Sequence, residues 1–259
     1  MTVAENLAAV RARIVAASEA CGRDPSSVAL VAVSKFHEAA AIREAYTAGQ
    51  RLFGESYVQE LAAKRKELTD LPDLQFHFIG HLQSNKVKAL LATEIACVET
   101  VHSPALAREL GKRVSAEGLS VLPVLAEINV GREANKHGAL PEEAEALVAA
   151  IEAEPSLRFQ GWMTIPPDDE IATKAAFEAL AALHAAGTQK DRPPARTGDP
   201  LDGDERRPGA GDRLRRDARP RRHRDFRRAN LEQFQGPSGK RKTVRHSMTM
   251  LSSVTTVSP

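Results

Sequence analysis

The sequence predicts an α/β protein, a parallel sheet with helices packed outside it. Three observations carry this. Strand-like and helix-like segments alternate six times between residues 28 and 186. Repeated strand–helix alternation is the pattern of a parallel sheet. Two of the strand segments, residues 28–34 and 122–130, are long runs of small or branched apolar residues. The pattern also has a sharp end. Residues 1–186 hold 18 Lys/Arg and 25 Asp/Glu, and residues 187–259 hold 18 and 9, so the net charge of +2 joins two different compositions.

In order, residues 3–20 form an amphipathic helix with Leu7, Val10, Ile14 and Ala17 on one stripe. Asp24-Pro25-Ser26-Ser27 is a turn. Strands are expected at 28–34, 51–54, 75–79, 95–101, 122–130 and 159–163, each followed by a helix, at 37–48, 56–68, 85–92, 104–116, 141–152 and 171–186. Gly49 stops the first of these helices, and Pro104 and Pro141 sit in the first turns of two others, where a missing N–H costs nothing. Alternation alone leaves open whether the sheet is doubly wound or closed into a barrel. No G-x-G-x-x-G or Walker A loop opens a helix, which counts against nucleotide binding.

At 259 residues the chain has room for one large domain or two small ones. Aromatic residues make up only 4%, so the core must be Ala, Leu, Val and Ile. Cys21 and Cys97 lie far apart without a C-x-x-C pattern, which argues against a disulfide framework or a zinc site. The N-terminus lacks the character of a signal peptide and no apolar run approaches a membrane span, so a cytoplasmic location is expected.

Lys35 closes the run Val28-Ala29-Leu30-Val31-Ala32-Val33-Ser34. An amine on an apolar strand is costly unless used. The chemistry that wants a rigidly held strand-end amine is carbonyl capture, a Schiff base with an aldehyde such as pyridoxal phosphate (PLP). In an α/β barrel, strand ends converge on one face. The other strand-end candidates are Gly54-Glu55-Ser56-Tyr57, His77, the segment from Gly80 to Lys86, Glu127, Asn129 and Trp162-Met163-Thr164. Taken singly, His77, Glu127 and Asn129 read more readily as caps or satisfied loop residues. Lys136 and His137 lie in a loop between Gly131 and Gly138, as solvated residues or as phosphate contacts.

At these residues the sequence resembles the pyridoxal phosphate homeostasis proteins, which look like the barrel domain of alanine racemase without its second domain. Five segments carry the match: Ala32-Val33-Ser34-Lys35; Phe53-Gly54-Glu55-Ser56-Tyr57-Val58-Gln59-Glu60; His77-Phe78-Ile79-Gly80-His81-Leu82-Gln83-Ser84-Asn85-Lys86; Ile128-Asn129-Val130 with Lys136-His137-Gly138; and Gly161-Trp162-Met163-Thr164. The resemblance implies a TIM-type (β/α) barrel over residues 1–186 and PLP held as a Schiff base on Lys35. Ser56, His77 and Met163 would line the pocket. It implies a non-enzymatic role in intracellular PLP homeostasis, with PLP-dependent apo-enzymes as recipients. Two positions depart from the family pattern: Ser56 stands where Asn is usual, and Trp162 where Leu is usual.

The family's last two strand–helix units carry Ser-Met-Gly-Met-Ser and Arg-x-Gly-x-x-x-Phe-Gly segments that hold the cofactor's phosphate. Neither is present. Residues 191–230 instead contain 13 Arg among Pro, Gly and Asp, with no apolar period. Such text cannot build a core and is expected to be a disordered basic tail, which leaves an incomplete barrel of about six units. A one-base shift of frame permits both missing segments, in order, across residues 201–206 and 220–228. Residues 187–259 therefore read as out-of-frame sequence. Two alternatives have distinct signatures. A PLP-dependent racemase or decarboxylase would add an all-β domain, and none follows Ala186. A nucleic-acid-binding tail would carry aromatics and a motif, and this one has few and none.

Overall fold

The computed structural model describes residues 2–189. Helix α1 (Val3–Ala20) precedes six strand–helix units. They are β1 (Ala32–Val33) and α2 (Ala39–Thr47), β2 (Leu52–Glu55) and α3 (Val58–Glu67), β3 (Gln75–Phe78) and α4 (Val87–Leu91), β4 (Cys97–Val101) and α5 (Pro104–Ala116), β5 (Leu122–Glu127) and α6 (Ala144–Glu152), and β6 (Leu157–Met163) and α7 (Glu170–Gln189). The six strands form one parallel sheet in the order β1-β2-β3-β4-β5-β6. A doubly wound sheet reverses its strand order at a switch point, whereas a β/α barrel adds each strand beside the last. The unreversed order settles what alternation left open: this is a barrel-type arrangement, six units long among the described residues.

Local chemistry explains the element ends. Thr2 and Glu5 cap α1 reciprocally, the Glu5 N–H donating to Thr2 Oγ1 at 3.2 Å and the Thr2 N–H to Glu5 Oε2 at 2.8 Å. Ser103 caps α5 through the Leu106 N–H, with Pro104 at the first position. Glycines end the turns after α1 and α2, where Gly22 and Gly49 take positive φ.

Alternation along the strands sorts the core into two layers. Ala32, Phe53, Phe76, Phe78, Val98, Val124, Ala126 and Trp162 join the helices in the main apolar cluster. Cys97, Leu125 and Met163 form a separate buried cluster on the other, concave face. Every strand differs from expectation at one end or both, and three of the differences have a structural reason. Residues 28–31 lie outside the sheet, because β1 has only β2 beside it among the described residues and pairs over two residues. Strand β5 stops at Glu127, where Ile128 makes a single bridge to Ala139. Strand β6 begins two residues early and shifts register against β5 where Gly161 takes φ 131°. From residue 190 on, the expected out-of-frame, disordered basic tail lies outside the described residues. No helix among the described residues is long and apolar enough to cross a membrane.

Candidate cofactor site

The exit of β1 is built around two lysines. Lys35 lies two residues past the end of β1, with Ser34 between, and is half-buried. Val31 and Val33 lie before it on the concave side, beside Gly54, and Lys35 opens the turn that follows. Among the described residues it makes no hydrogen bond or ion pair. Lys64, on α3, is buried and fully engaged. Its Nζ donates to Glu55 Oε1, to Glu60 Oε1 and to the Ser34 carbonyl oxygen, each at 2.6 Å. Ser34 Oγ also donates to Glu55 Oε1 at 2.6 Å. Burial pushes the Glu55 carboxyl up, against the opposing pull of Lys64 and Ser34. Next to Lys35, the Phe36 N–H donates to Glu60 Oε1 at 2.5 Å, and Phe36 has φ 65°.

Strands β2 and β3 bring the next two groups alongside. Gly54 pairs with Val33 on one side and His77 on the other, on the concave face. A Cβ there would lie 2.8 Å from Ile79 Cδ1 and 3.2 Å from Val31 Cγ1, so the position has no room for a side chain. Ser56, two residues on, is half-buried at the strand exit beneath Gly80. A Cβ on Gly80 would come within 2.2 Å of the Ser56 carbonyl oxygen, and the Gly80 carbonyl accepts from Thr100 Oγ1 at 2.6 Å. This close approach locks the loop after β3 against the end of β2.

His77 is oriented by β4: its Nδ1 lies 2.5 Å from Glu99 Oε1. Glu99 is fully buried, and its other oxygen has no partner among the described residues. On β5, Glu127 is likewise buried with an unpartnered Oε2, and burial alone pushes its carboxyl up to about 7. The Cys97 thiol is raised well above its ordinary value by burial and by Glu99. Met163 pairs in register with Glu127 and is buried against Cys97 and Leu125.

Of the four predicted site residues, His77 and Met163 lie on strands, and Lys35 and Ser56 lie just past the C-terminal ends of β1 and β2. Strands β1, β2 and β3 are adjacent, and Met163 lies three strands away on β6, in the buried cluster with Cys97 and Leu125. Asn129 organises its own loop, its Nδ2 donating to the Glu133 and Lys136 carbonyls and its Oδ1 accepting from the Glu133 N–H. Lys136 ties this loop to the one after β6, through the Pro166 carbonyl at 2.8 Å and Glu133 at 2.7 Å.

Sequence reasoning missed two features. The first is Lys64, which sits in the run Lys64-Arg65-Lys66 but at helical spacing between the buried Leu61 and Leu68. That spacing was the available signal. The second is a stack of three histidines, one from each loop after β3, β4 and β5. His81 and His137 are stacked at 3.7 Å, and His102 lies 4.8 Å from His81. Burial lowers the His81 and His102 pKa values, and the neighbouring imidazoles lower them further. No group of His, Cys, Asp or Glu among the described residues is arranged to hold a metal ion.

Known proteins match this arrangement. Residues 6–197 match the family described as alanine racemase, N-terminal domain. The chain is 46% identical over 184 residues to the pyridoxal phosphate homeostasis protein of Pseudomonas aeruginosa, covering 70% of this chain and 79% of that one. It is 41% identical over 194 residues to the Escherichia coli protein of the same name, covering 74% and 82%. Among solved structures, PipY of Synechococcus elongatus without PLP is similar at a TM-score of 0.64 with 37% identity, over 73% of this chain and 83% of that one. The same protein with PLP bound gives 0.60 and 36%, over 73% and 84%. The chain belongs to the pyridoxal phosphate homeostasis protein family, on the fold of the alanine racemase N-terminal domain.

Proposed function

We propose that this protein binds PLP through Lys35 and serves intracellular PLP homeostasis as a carrier without catalytic turnover, handing the cofactor to PLP-dependent apo-enzymes in the cytoplasm. One observation carries the reading. Of the two lysines at the β1 exit, Lys64 takes all the acidic partners, and Lys35 is left half-buried without one. The names of its relatives and the PLP-bound PipY structure support the same ligand.

The residues present fit the reactive end of the cofactor. PLP supplies an electrophilic aldehyde carbon, to which an amine adds with loss of one water to form a Schiff base. Lys35 supplies that amine from a rigid strand end. His77, fixed by Glu99, and Ser56, fixed under Gly80, present polar groups from the next two strand–loop units. Glu127 can hold a proton near neutral pH. An absorbance titration with PLP tests the reading: a lysine-linked chromophore is expected for the chain and its absence for Lys35→Ala. An equal chromophore in both would contradict it. Transfer is tested by mixing the loaded protein with a PLP-dependent apo-enzyme, where reactivation faster than by an equal amount of free PLP is expected.

Residues 187–259 are out-of-frame text in this proposal. The open edges of the sheet support it, since β1 and β6 each have one strand neighbour among the described residues. An unpaired parallel edge is unusual unless further units cover it. Sequencing the gene should show an in-frame continuation one base away. A continuous single-frame read with no such continuation would refute it.

A further inference from the structure

We propose that Glu60, carried by Lys64, is a positioning residue for Lys35: it clamps the backbone after that lysine and so aims the amine. This rests on the assignment of Lys35 as the PLP-bearing residue. The geometry is two-sided. Before Lys35, the Ser34 carbonyl accepts from Lys64 Nζ at 2.6 Å, and the Ser34 N–H donates to the Gly54 carbonyl at 2.9 Å. After Lys35, the Phe36 N–H donates to Glu60 Oε1 at 2.5 Å. One carboxylate oxygen thus serves both the α3 lysine and the backbone beyond the reactive one.

The segment needs such a clamp. Phe36 sits at φ 65°, a region bulky residues avoid, and the residue is 73% exposed, so no core packing holds it there. The ring meets only partial support, a tilted contact with the exposed Tyr57 at 5.3 Å. A backbone held in a disfavoured conformation persists only where its surroundings over-determine it. Here the surroundings are Glu60 and Lys64, with Glu55 and Ser34 completing the buried network and the His37 N–H closing a turn on the Ser34 carbonyl at 3.1 Å, so that Glu60 supplies the hold on the Phe36 N–H that this turn does not. Freed from Glu60, Phe36 relaxes toward negative φ, which turns the peptide following Lys35 and moves its side chain.

Glu60 is only partly buried, so replacing it leaves the core intact. Glu60→Ala removes the acceptor, and Glu60→Gln keeps a carbonyl oxygen in the same place. Two measurements on the full chain decide the matter. The first, without cofactor, is amide hydrogen exchange at Phe36. The second is the rate at which added PLP with borohydride leaves a stable adduct on Lys35, located by peptide mapping. Glu60→Ala should speed Phe36 exchange and slow Lys35 trapping, each by about tenfold, while the melting transition stays cooperative and falls by only a few degrees, since Lys64 keeps Glu55. Glu60→Gln should restore both. Unchanged trapping in Glu60→Ala overturns the proposal, as does failure of Glu60→Gln to restore it. If the unaltered chain gives no Lys35 adduct, the PLP reading itself fails, and Phe36 exchange still decides whether Glu60 clamps this backbone.

Discussion

The two ends of the concave face solve the problem of buried charge in opposite ways. At β1, β2 and α3, charge is fixed by pairing. Lys64 donates to Glu55 Oε1, Glu60 Oε1 and the Ser34 carbonyl at once, and among the described residues Lys35 is left without such a partner. At β3, β4 and β5, charge is set by burial. Among the described residues Glu127 Oε2 has no partner and Glu99 meets His77 through one oxygen only, and His81 and His102 are held below their ordinary pKa. The comparison teaches that the first end is a scaffold fixed by ion pairs, and that the second holds Glu127, whose carboxyl burial raises to about 7.

The largest expected effect breaks the paired end. Lys64→Met leaves the Glu55 carboxylate buried and uncompensated, and should cost about 4 kcal/mol in denaturant unfolding. A cost below about 1 kcal/mol would show that the network is ornamental at this site.

The next sharpens the second end. The folded-state pKa of Glu127 is raised from 4.5 to about 7, so the folded protein holds its proton more tightly than the unfolded chain. Stability from this group is full below pH 4.5 and falls as pH rises toward 7. Glu127→Gln should remove that decline and stabilise the protein at pH 8 by up to about 3 kcal/mol. No gain at alkaline pH would mean that Glu127 finds a partner when ionised.

Between the two ends lies the close contact of Gly80 with Ser56. Gly80→Ala drives a Cβ into the Ser56 carbonyl and should cost about 2 kcal/mol of stability while displacing Ser56. A neutral substitution would place Ser56 elsewhere than under this loop.

The smallest effect concerns the histidine stack, with the opposite sign to Glu127. His81 and His102 are lowered from 6.5, so the unfolded chain binds protons more readily. Their contribution is present above that value and is lost as pH falls below it. His137→Asn should flatten the acid side of a melting-temperature profile by a few degrees or less. An unchanged profile would remove the stack from the account.

Much of this was legible in the sequence because each observation was local. Strand–helix alternation gave the sheet and its helices, and the apolar run ending at Lys35 marked an amine that needed a use. The barrel-type order was legible only through resemblance, since alternation does not encode which strands are neighbours. The short β1 was not legible, because pairing depends on having a partner on both sides. Lys64 looked like its solvated neighbours Arg65 and Lys66, and only its spacing to Leu61 and Leu68 separated it from them. Glu99 hid inside Cys-Val-Glu-Thr-Val, where a single acidic residue gives no hint that His77 lies across the strand. Pairing across strands comes from register, which one sequence does not spell out.

The central claim is that Lys35, the lysine without a partner, is the one that captures PLP. Adding PLP and borohydride to the chain and mapping the modified peptides tests it most directly. The account predicts a stable adduct concentrated on Lys35, with Lys64 unmodified. An adduct on Lys64, or one spread evenly over the exposed lysines, would contradict it.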